Sequence, residues 1–306
     1  MISALDPAVA ARAGELSRDF LEAKPFRHVI IEPFLEAGFC ADLMTQFPPF
    51  NREKALNELG DVGGKAVVSD FSRLGPAYVR FDRLMQDPEF LSLIGRITGI
   101  LNLLYDPEYI GGGTHENLHG QELDTHVDFN YHPTTQTHRR LNLIVFLNPQ
   151  WEESWGGNLE LLENPFEEEC RSLLPLANRA VIFETTEASW HGFRKIQVPA
   201  EIHTSRRSIA VYFYTAEPPA QGPAPSHATF YYQRPLPAHL RPGHTLTDAD
   251  VNEMLGLMAR RDNYVRFLYH RELEFSKTLS MVIDSPTFRL ASRFAKVVKW
   301  LRGKKD

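Results

Sequence analysis

Cysteine is almost missing from this chain. Cys40 and Cys170 are the only two in 306 residues, which excludes a disulfide framework, and no C-x-x-C pair exists to build a thiolate zinc site. A reducing cytoplasm is the expected compartment. Long apolar runs are missing too, so no stretch reads as a transmembrane segment, and Asp6, Arg12, Glu15, Arg18, Asp19 and Glu22 break up the first residues too much for a secretory leader. There is no basic excess: 33 Lys and Arg against 39 Asp and Glu give a net charge of -6, so no global pull toward nucleic acid or anionic membrane is expected. No internal repeat is visible. What remains, 43% hydrophobic and 24% charged residues, is an ordinary globular composition with enough apolar side chains for one large core.

Asp6-Pro7 ahead of Val9, Leu16, Phe20 and Leu21 predicts one capped amphipathic helix. A strand over 26–31 and a helix over 36–47, stopped by Pro48-Pro49, follow. The polar, Gly-rich stretch 51–72 reads as a loop or lid, and 76–81 and 88–98 as helices. Beyond Ile110 the texture changes to short runs separated by Gly, Asn and Pro, over 115–119, 124–129, 140–147, 158–162, 180–183 and 205–214. Such spacing predicts a β-sandwich or jelly roll, a mainly β core with flanking helices in the α+β class. Gly156-Gly157 marks a tight turn or a close backbone approach. The expected division is N-terminal helices with a first strand at 1–100, the β core at 101–217, a Pro-rich linker or arm at 218–245 and a C-terminal helical extension at 246–306. Within the last, Thr247-Asp248 caps a helix over 249–270 and a final helix covers 288–301.

The stretch most charged with chemistry is Asp124-Thr-His126-Val-Asp128-Phe-Asn130. Residues i and i+2 of a strand share a face, so His126 and Asp128 can grip one metal ion from the same side and leave its opposite positions open. That is two-thirds of a 2-His-1-carboxylate facial triad. An H-x-D arises by chance about half the time in a chain with twelve histidines, so context must decide. His191, after the apolar run Ala180-Val-Ile-Phe183, is a candidate third ligand, with a buried structural histidine as the bland alternative. In Arg206-Arg207-Ser208, strand alternation puts Arg206 and Ser208 on one face, where a guanidinium fork and a hydroxyl suit an anionic carboxylate. Arg207 takes the other face.

Taken together, Gly111-Gly-Gly-Thr-His115, His126-Val-Asp-Phe-Asn130-Tyr-His-Pro133, Arg139-Arg-Leu-Asn142-Leu, Phe146-Leu-Asn148-Pro-Gln-Trp151, Gly156-Gly-Asn-Leu-Glu160-Leu, Trp190-His-Gly192 and Arg206-Arg-Ser-Ile-Ala-Val-Tyr212 resemble the prolyl 4-hydroxylase-like branch of the Fe(II)/2-oxoglutarate dioxygenases. The resemblance covers about residues 25 to 216. It implies a double-stranded β-helix, Fe(II) held by His126, Asp128 and His191 as the catalytic centre, and 2-oxoglutarate held through its distal carboxylate by Arg206 with Ser208. O2 is then the oxidant, with ascorbate as an optional reductant. The strand tyrosine with which animal oxygen-sensing members touch the cosubstrate aligns with Phe146, which cannot make that hydrogen bond. Asn142, on the same strand face, is a candidate substitute, with backbone satisfaction as the alternative.

The function implied is a hydroxylase acting on an aliphatic C-H of a peptidyl or prolyl residue or of a small-molecule biosynthetic intermediate, coupled to decarboxylation of 2-oxoglutarate to succinate and CO2. The alternative is a non-catalytic, cupin-like binding or structural domain. Asn130, Tyr131 and Trp190 beside the ligand motifs are candidate substrate contacts, whereas His115, His119, His132 and His138 read singly as surface or strand-end residues. Nucleic acid is not expected as a partner. The C-terminal helix, apolar at Phe288, Ala291, Phe294, Val298 and Leu301 and basic elsewhere, suits docking on the domain or in a homodimer, with a membrane-surface contact as the competing reading.

Overall fold

Two antiparallel sheets enclose the centre of the first of two units, which runs from Met1 to Arg234. The computed structural model describes residues 2–51, 66–166, 169–232, 235–291 and 294. The larger sheet runs in the order β1 (His28–Ile31), β9 (Ala180–Glu184), β6 (His138–Phe146), β11 (Arg206–Thr215), β4 (Gly113–Asn117) and β2 (Ala66–Val68), with β3 (Leu104–Tyr105) also paired to β11. The smaller one orders β12 (Phe230–Tyr231), β5 (Leu123–Val127), β10 (Trp190–Phe193), β7 (Leu159–Leu162) and β8 (Arg171–Leu173). This is the jelly roll expected from the spacing of the apolar runs. The strands that pattern reading does not find, β2, β3, β8, β10 and β12, have two to four residues each, too few for an alternation to show.

Alternation along β11 sorts its side chains between two environments. Ile209, Val211 and Phe213 join Leu141, Leu143 and Val145 of β6 in a core completed by N-terminal helices. Those helices are α1 (Pro7–Ala11), α2 (Ala13–Glu22), α3 (Ala37–Thr45), α4 (Pro76–Gln86) and α5 (Pro88–Thr98). Local chemistry sets their ends. In α5 the Asp87 carboxylate accepts from the amides of Glu89 and Phe90 at 2.9 and 3.3 Å, Pro88 stands in the first turn, and Gly99 closes the helix at φ 72°. The single helix expected after Asp6 is two, broken at Arg12, but its buried residues Val9, Leu16 and Phe20 are the ones expected. Phe213 is fully buried against Phe90. Phe213→Ala should therefore lower unfolding free energy by about 3–5 kcal/mol, against less than about 0.5 kcal/mol for the exposed Phe166→Ala. Urea denaturation with equal midpoints for the two variants would contradict this core.

The opposite face of β6 and β11 looks toward the smaller sheet. At one end Phe146, Val181 and Phe183 pack on Leu159, Leu161 and Leu173; at the other end the face is polar and lines a cavity. Two expectations change here. The stretch 51–72 lies for the most part outside the described residues, yet 66–68 form β2 rather than loop. The segment from 218, expected as a linker or arm, is an arm over its first part, folding back over the β core through residue 232: β12 pairs with β5 in the register Phe230↔Val127 and Tyr231↔His126. The first unit thus continues past the expected boundary at 217.

The second unit, Pro235 to Asp306, holds the helix α6 (Asp248–Asp284), longer than the 249–270 expected. Its start is the expected one: Thr247 and Asp250 form a reciprocal capping box. His239 and His244 place Nε2 at 2.7 and 3.0 Å from the two Asp250 oxygens, bracing the carboxylate that caps the helix. Residues 286–291 are again helical; the rest of the helix expected over 288–301 lies, apart from residue 294, outside the described residues. No helix among the described residues is long and apolar enough to cross a membrane.

Candidate active site

The cavity between the sheets has a volume of about 190 Å3. Three ligand atoms converge at it, from His126, Asp128 and His191, all within 4.8 Å of one another and all buried. Antiparallel pairing of β5 with β10 sets His126 directly opposite His191. Their rings lie 4.2 Å apart between centroids. Asp128 falls just beyond the end of β5, so it is the turn after the strand that aims its carboxylate at the imidazoles, 3.7 Å from His126 Nε2 and 3.4 Å from His191 Nε2. His126 Nδ1 lies 2.8 Å from the carbonyl of Asp124, and His191 Nδ1 3.0 Å from that of Ser189. A carbonyl only accepts, so each Nδ1 carries the proton and each Nε2 turns its lone pair to the centre.

Asp128 is held by two residues for which sequence reading assigned no such role. Arg139 donates from Nη2 at 2.9 Å and Asn142 from Nδ2 at 2.7 Å, both to Oδ2; Oδ2 also faces His191 Nε2, while Oδ1 faces His126 Nε2. Asn142 Oδ1 in turn accepts from Arg139 at 2.7 and 3.0 Å. Asn142 thus lines the cavity with both polar atoms engaged at Asp128 and Arg139, not as a ready substitute for a cosubstrate contact. Burial alone would raise the Asp128 pKa; the opposing charge of Arg139, the electrostatic pull of the two imidazoles and the Asn142 hydrogen bond hold it well below the usual carboxylate range. Arg139 lies over the rings of Tyr212 and Phe129 at 3.5 and 4.5 Å, and its buried Nη1 has no hydrogen-bond partner among the described residues; the ring faces are its compensation.

Arg206, Ser208, Ala210 and Tyr212 line the same cavity, as the alternation of β11 requires. Arg206 is 4% exposed. Its Nε donates to the Gly157 carbonyl at 2.6 Å, and the guanidinium lies 4.2 and 5.1 Å from the ring centres of Phe193 and Phe146. Phe146 is therefore part of its apolar sleeve. Burial, with no carboxylate to offset it, pushes the Arg206 pKa down to about 9. A side chain at Gly157, whose φ is +69°, would meet Ile196 at 2.9 Å and Arg206 Cδ at 3.3 Å; glycine here lets the backbone reach the guanidinium. Arg207 points away and pairs with Glu116 at 3.1 Å.

The substrate candidates fall elsewhere. Asn130 donates to the Pro225 carbonyl at 2.9 Å and accepts from the His227 amide at 3.0 Å, and the Tyr131 hydroxyl donates to the Ala224 carbonyl at 3.2 Å. Both latch the returning segment 218–232. Trp190 alternates with His191 and faces Phe230 at 5.9 Å, not the cavity. In their place Thr229 and Tyr231 line the cavity, the Tyr231 ring 5.1 Å from that of His126. His115, opposite Ser208, lines it as well; His119 Nδ1 lies 2.9 Å from the carbonyl of the distant Val198, and His132 Nδ1 accepts from the amides of Thr134 and Thr135. The Pro-rich composition of 218–232 hid its role, because a two-residue strand carries no periodicity.

A buried pair of imidazoles and one carboxylate inside the jelly roll has the donor set of a 2-His-1-carboxylate facial triad. Residues 113–214 match the model of the 2OG-Fe(II) oxygenase superfamily, and this stretch holds His126, Asp128, His191, Arg206 and Ser208. The chain is similar to the prolyl 3-hydroxylase OGFOD1 of Mus musculus, 29% identical over 120 residues that cover 37% of this chain and 20% of that protein. Against the Xenopus laevis prolyl 3-hydroxylase OGFOD1 the identity is 23% over 224 residues, 69% of this chain and 40% of the other. The chain thus spans well under half the length of these curated relatives. Among solved structures, prolyl 4-hydroxylases from Phytophthora capsici align with 16% identity and a TM-score of 0.48 over 94% of this chain and 93% of theirs.

Proposed function

We infer that the enzyme hydroxylates an aliphatic C-H of a peptidyl residue, a prolyl side chain being the leading candidate, with Fe(II) on His126, Asp128 and His191 and 2-oxoglutarate anchored by Arg206 and Ser208. The observation that carries this reading is the pairing, in one buried cavity, of a ready ligand triad with a buried guanidinium that has no carboxylate partner among the described residues. Fe(II) and 2-oxoglutarate, held there together, would supply with O2 the oxidising power for the hydroxylation, one oxygen atom going to the substrate and the other to succinate, with release of CO2. The chain's own residues orient and exclude. Arg206 would take the distal carboxylate in a bidentate grip, while Arg139 and Asn142 hold the Asp128 carboxylate in place. The apolar sleeve and the segment 218–232 keep bulk water from the reacting C-H.

The size of the cavity favours a peptide over a bulky free substrate. At about 190 Å3 it is smaller than the roughly 300–1,000 Å3 of sites that engulf a drug-sized molecule. With the cosubstrate inside, one side chain fits at the mouth. The similarity to prolyl 3-hydroxylases supports the same choice. Incubating the protein with Fe(II), 2-oxoglutarate and a library of proline-containing peptides should give peptides one oxygen heavier and an equal amount of succinate. Succinate formed in step with oxidation of free proline or another small molecule, with every peptide untouched, would reverse the assignment.

Asn142 acts through Asp128 and is a positioning residue. Asn142→Ala should weaken Fe(II) binding about 10–100-fold while Asn142→Asp, which puts a second carboxylate against Asp128, should weaken it further. Unchanged Fe(II) affinity in the alanine variant would remove Asn142 from the site.

A further inference from the structure

We propose that α6 pairs with the α6 of a second copy of this chain, running antiparallel, along a seam from Val251 to Val282. Counted from Val251 in alternating steps of three and four, every position to Val282 is apolar except Arg261 and Glu272. A strict seven-residue period is the mark of a helix that packs along its length on another helix. Of this row only Met254 is partly covered; the other nine positions are exposed, Met258 at 59% and Phe275 at 67%. In the first half of the helix the partly covered residues outside this row are Glu253, Gly256, Leu257, Ala259, Arg260, Asn263 and Tyr264. The seam itself stands open to solvent along its length.

The two charges select the occupant and its direction. Arg261 and Glu272 stand symmetrically about the middle of α6. In an antiparallel pair centred there, each Arg261 meets Glu272 of the partner subunit, twice over by symmetry. Every other layer is then apolar on apolar: Val265 with Leu268, Met258 with Phe275, Met254 with Leu279 and Val251 with Val282. A parallel, in-register pair would instead stack glutamate on glutamate and arginine on arginine, which like-charge repulsion disfavours. A helix of 37 residues is about 55 Å long. Ten seam side chains burying roughly 80 Å2 each give about 800 Å2 per helix, the size of a standard specific interface.

Sedimentation equilibrium of the full-length chain at micromolar concentration should therefore give twice the chain mass. Arg261→Glu and Glu272→Arg should each weaken the dimer more than about tenfold, because each sets like charges together. The double reversal should restore it to within about threefold of the wild type. Far-UV spectra and Fe(II) binding of all three variants should match the wild type, which verifies the fold. A monomeric wild-type chain overturns the proposal and means that the seam is covered from within the chain. A dimer indifferent to both single reversals, or not rescued by the double one, overturns the antiparallel pairing.

Discussion

Asp128→Asn is expected to lower Fe(II) affinity by at least about a hundredfold and to remove 2-oxoglutarate turnover while leaving the protein folded. Asparagine preserves the shape of the side chain, and its carbonyl oxygen can keep the hydrogen bonds that Oδ2 now accepts from Arg139 and Asn142. The amide NH2 then occupies the place of Oδ1 beside His126, and the neutral side chain offers the metal no anionic ligand. Asp128→Ala is the less informative change. It would leave the guanidinium of Arg139, whose side chain is 0% exposed, without its carboxylate, and stranding a buried charge costs about 3–5 kcal/mol of stability. Loss of iron and loss of fold would then be confounded. Anaerobic titration of Fe(II) in the presence of 2-oxoglutarate, followed by the visible charge-transfer band, reads the affinity, and thermal unfolding reads the fold. If the asparagine variant binds iron as the wild type does, Asp128 is not a ligand.

Arg206→Ala should raise the 2-oxoglutarate requirement sharply, by about 2–5 kcal/mol or well over tenfold. Arg207→Ala should change it little. The two side chains are neighbours in sequence and opposites in setting. Arg206 lies inside, held by the Gly157 carbonyl and two aromatic rings, with only a ligand left to supply negative charge. Arg207 is paired outside with Glu116, the Ser205 hydroxyl and the Phe47 ring. Arg206→Lys keeps the charge and loses the fork, so it should fall between wild type and alanine. The same charge-transfer band, titrated with 2-oxoglutarate at saturating Fe(II), ranks the variants. A greater effect from Arg207 would place the dicarboxylate outside the cavity between the sheets.

Some of this site is legible because it depends on short-range rules. Alternation along Arg206–Thr215 is enough to send Arg206, Ser208, Ala210 and Tyr212 one way and Arg207, Ile209, Val211 and Phe213 the other. The H-x-D spacing brings His126 and Asp128 to one side, even though Asp128 stands past the strand end. Arg139 shows where such rules stop. Three residues before Asn142, it should face away from it by alternation. A register shift sets Phe213 opposite Leu141 but Tyr214 opposite Arg139, so that Arg140 is the extra residue and Arg139 turns inward beside Asn142. Nothing in the composition of the strand announces that bulge.

The sequence by itself determined the jelly-roll class, the candidate ligands, the inward arginine and the capped start of α6, since each is a periodicity or a spacing carried within one segment. Tertiary structure alone decided the rest. It paired His191 with His126 across 65 positions of chain, clamped Asp128 with Arg139 and Asn142, and drew residues 218–232 back over the cavity through Asn130, Tyr131 and a two-residue strand. These contacts join segments whose local sequences carry no record of one another. They form because buried polar groups must find partners once the sheets close, and which partners come within reach is set by strand register and chain return.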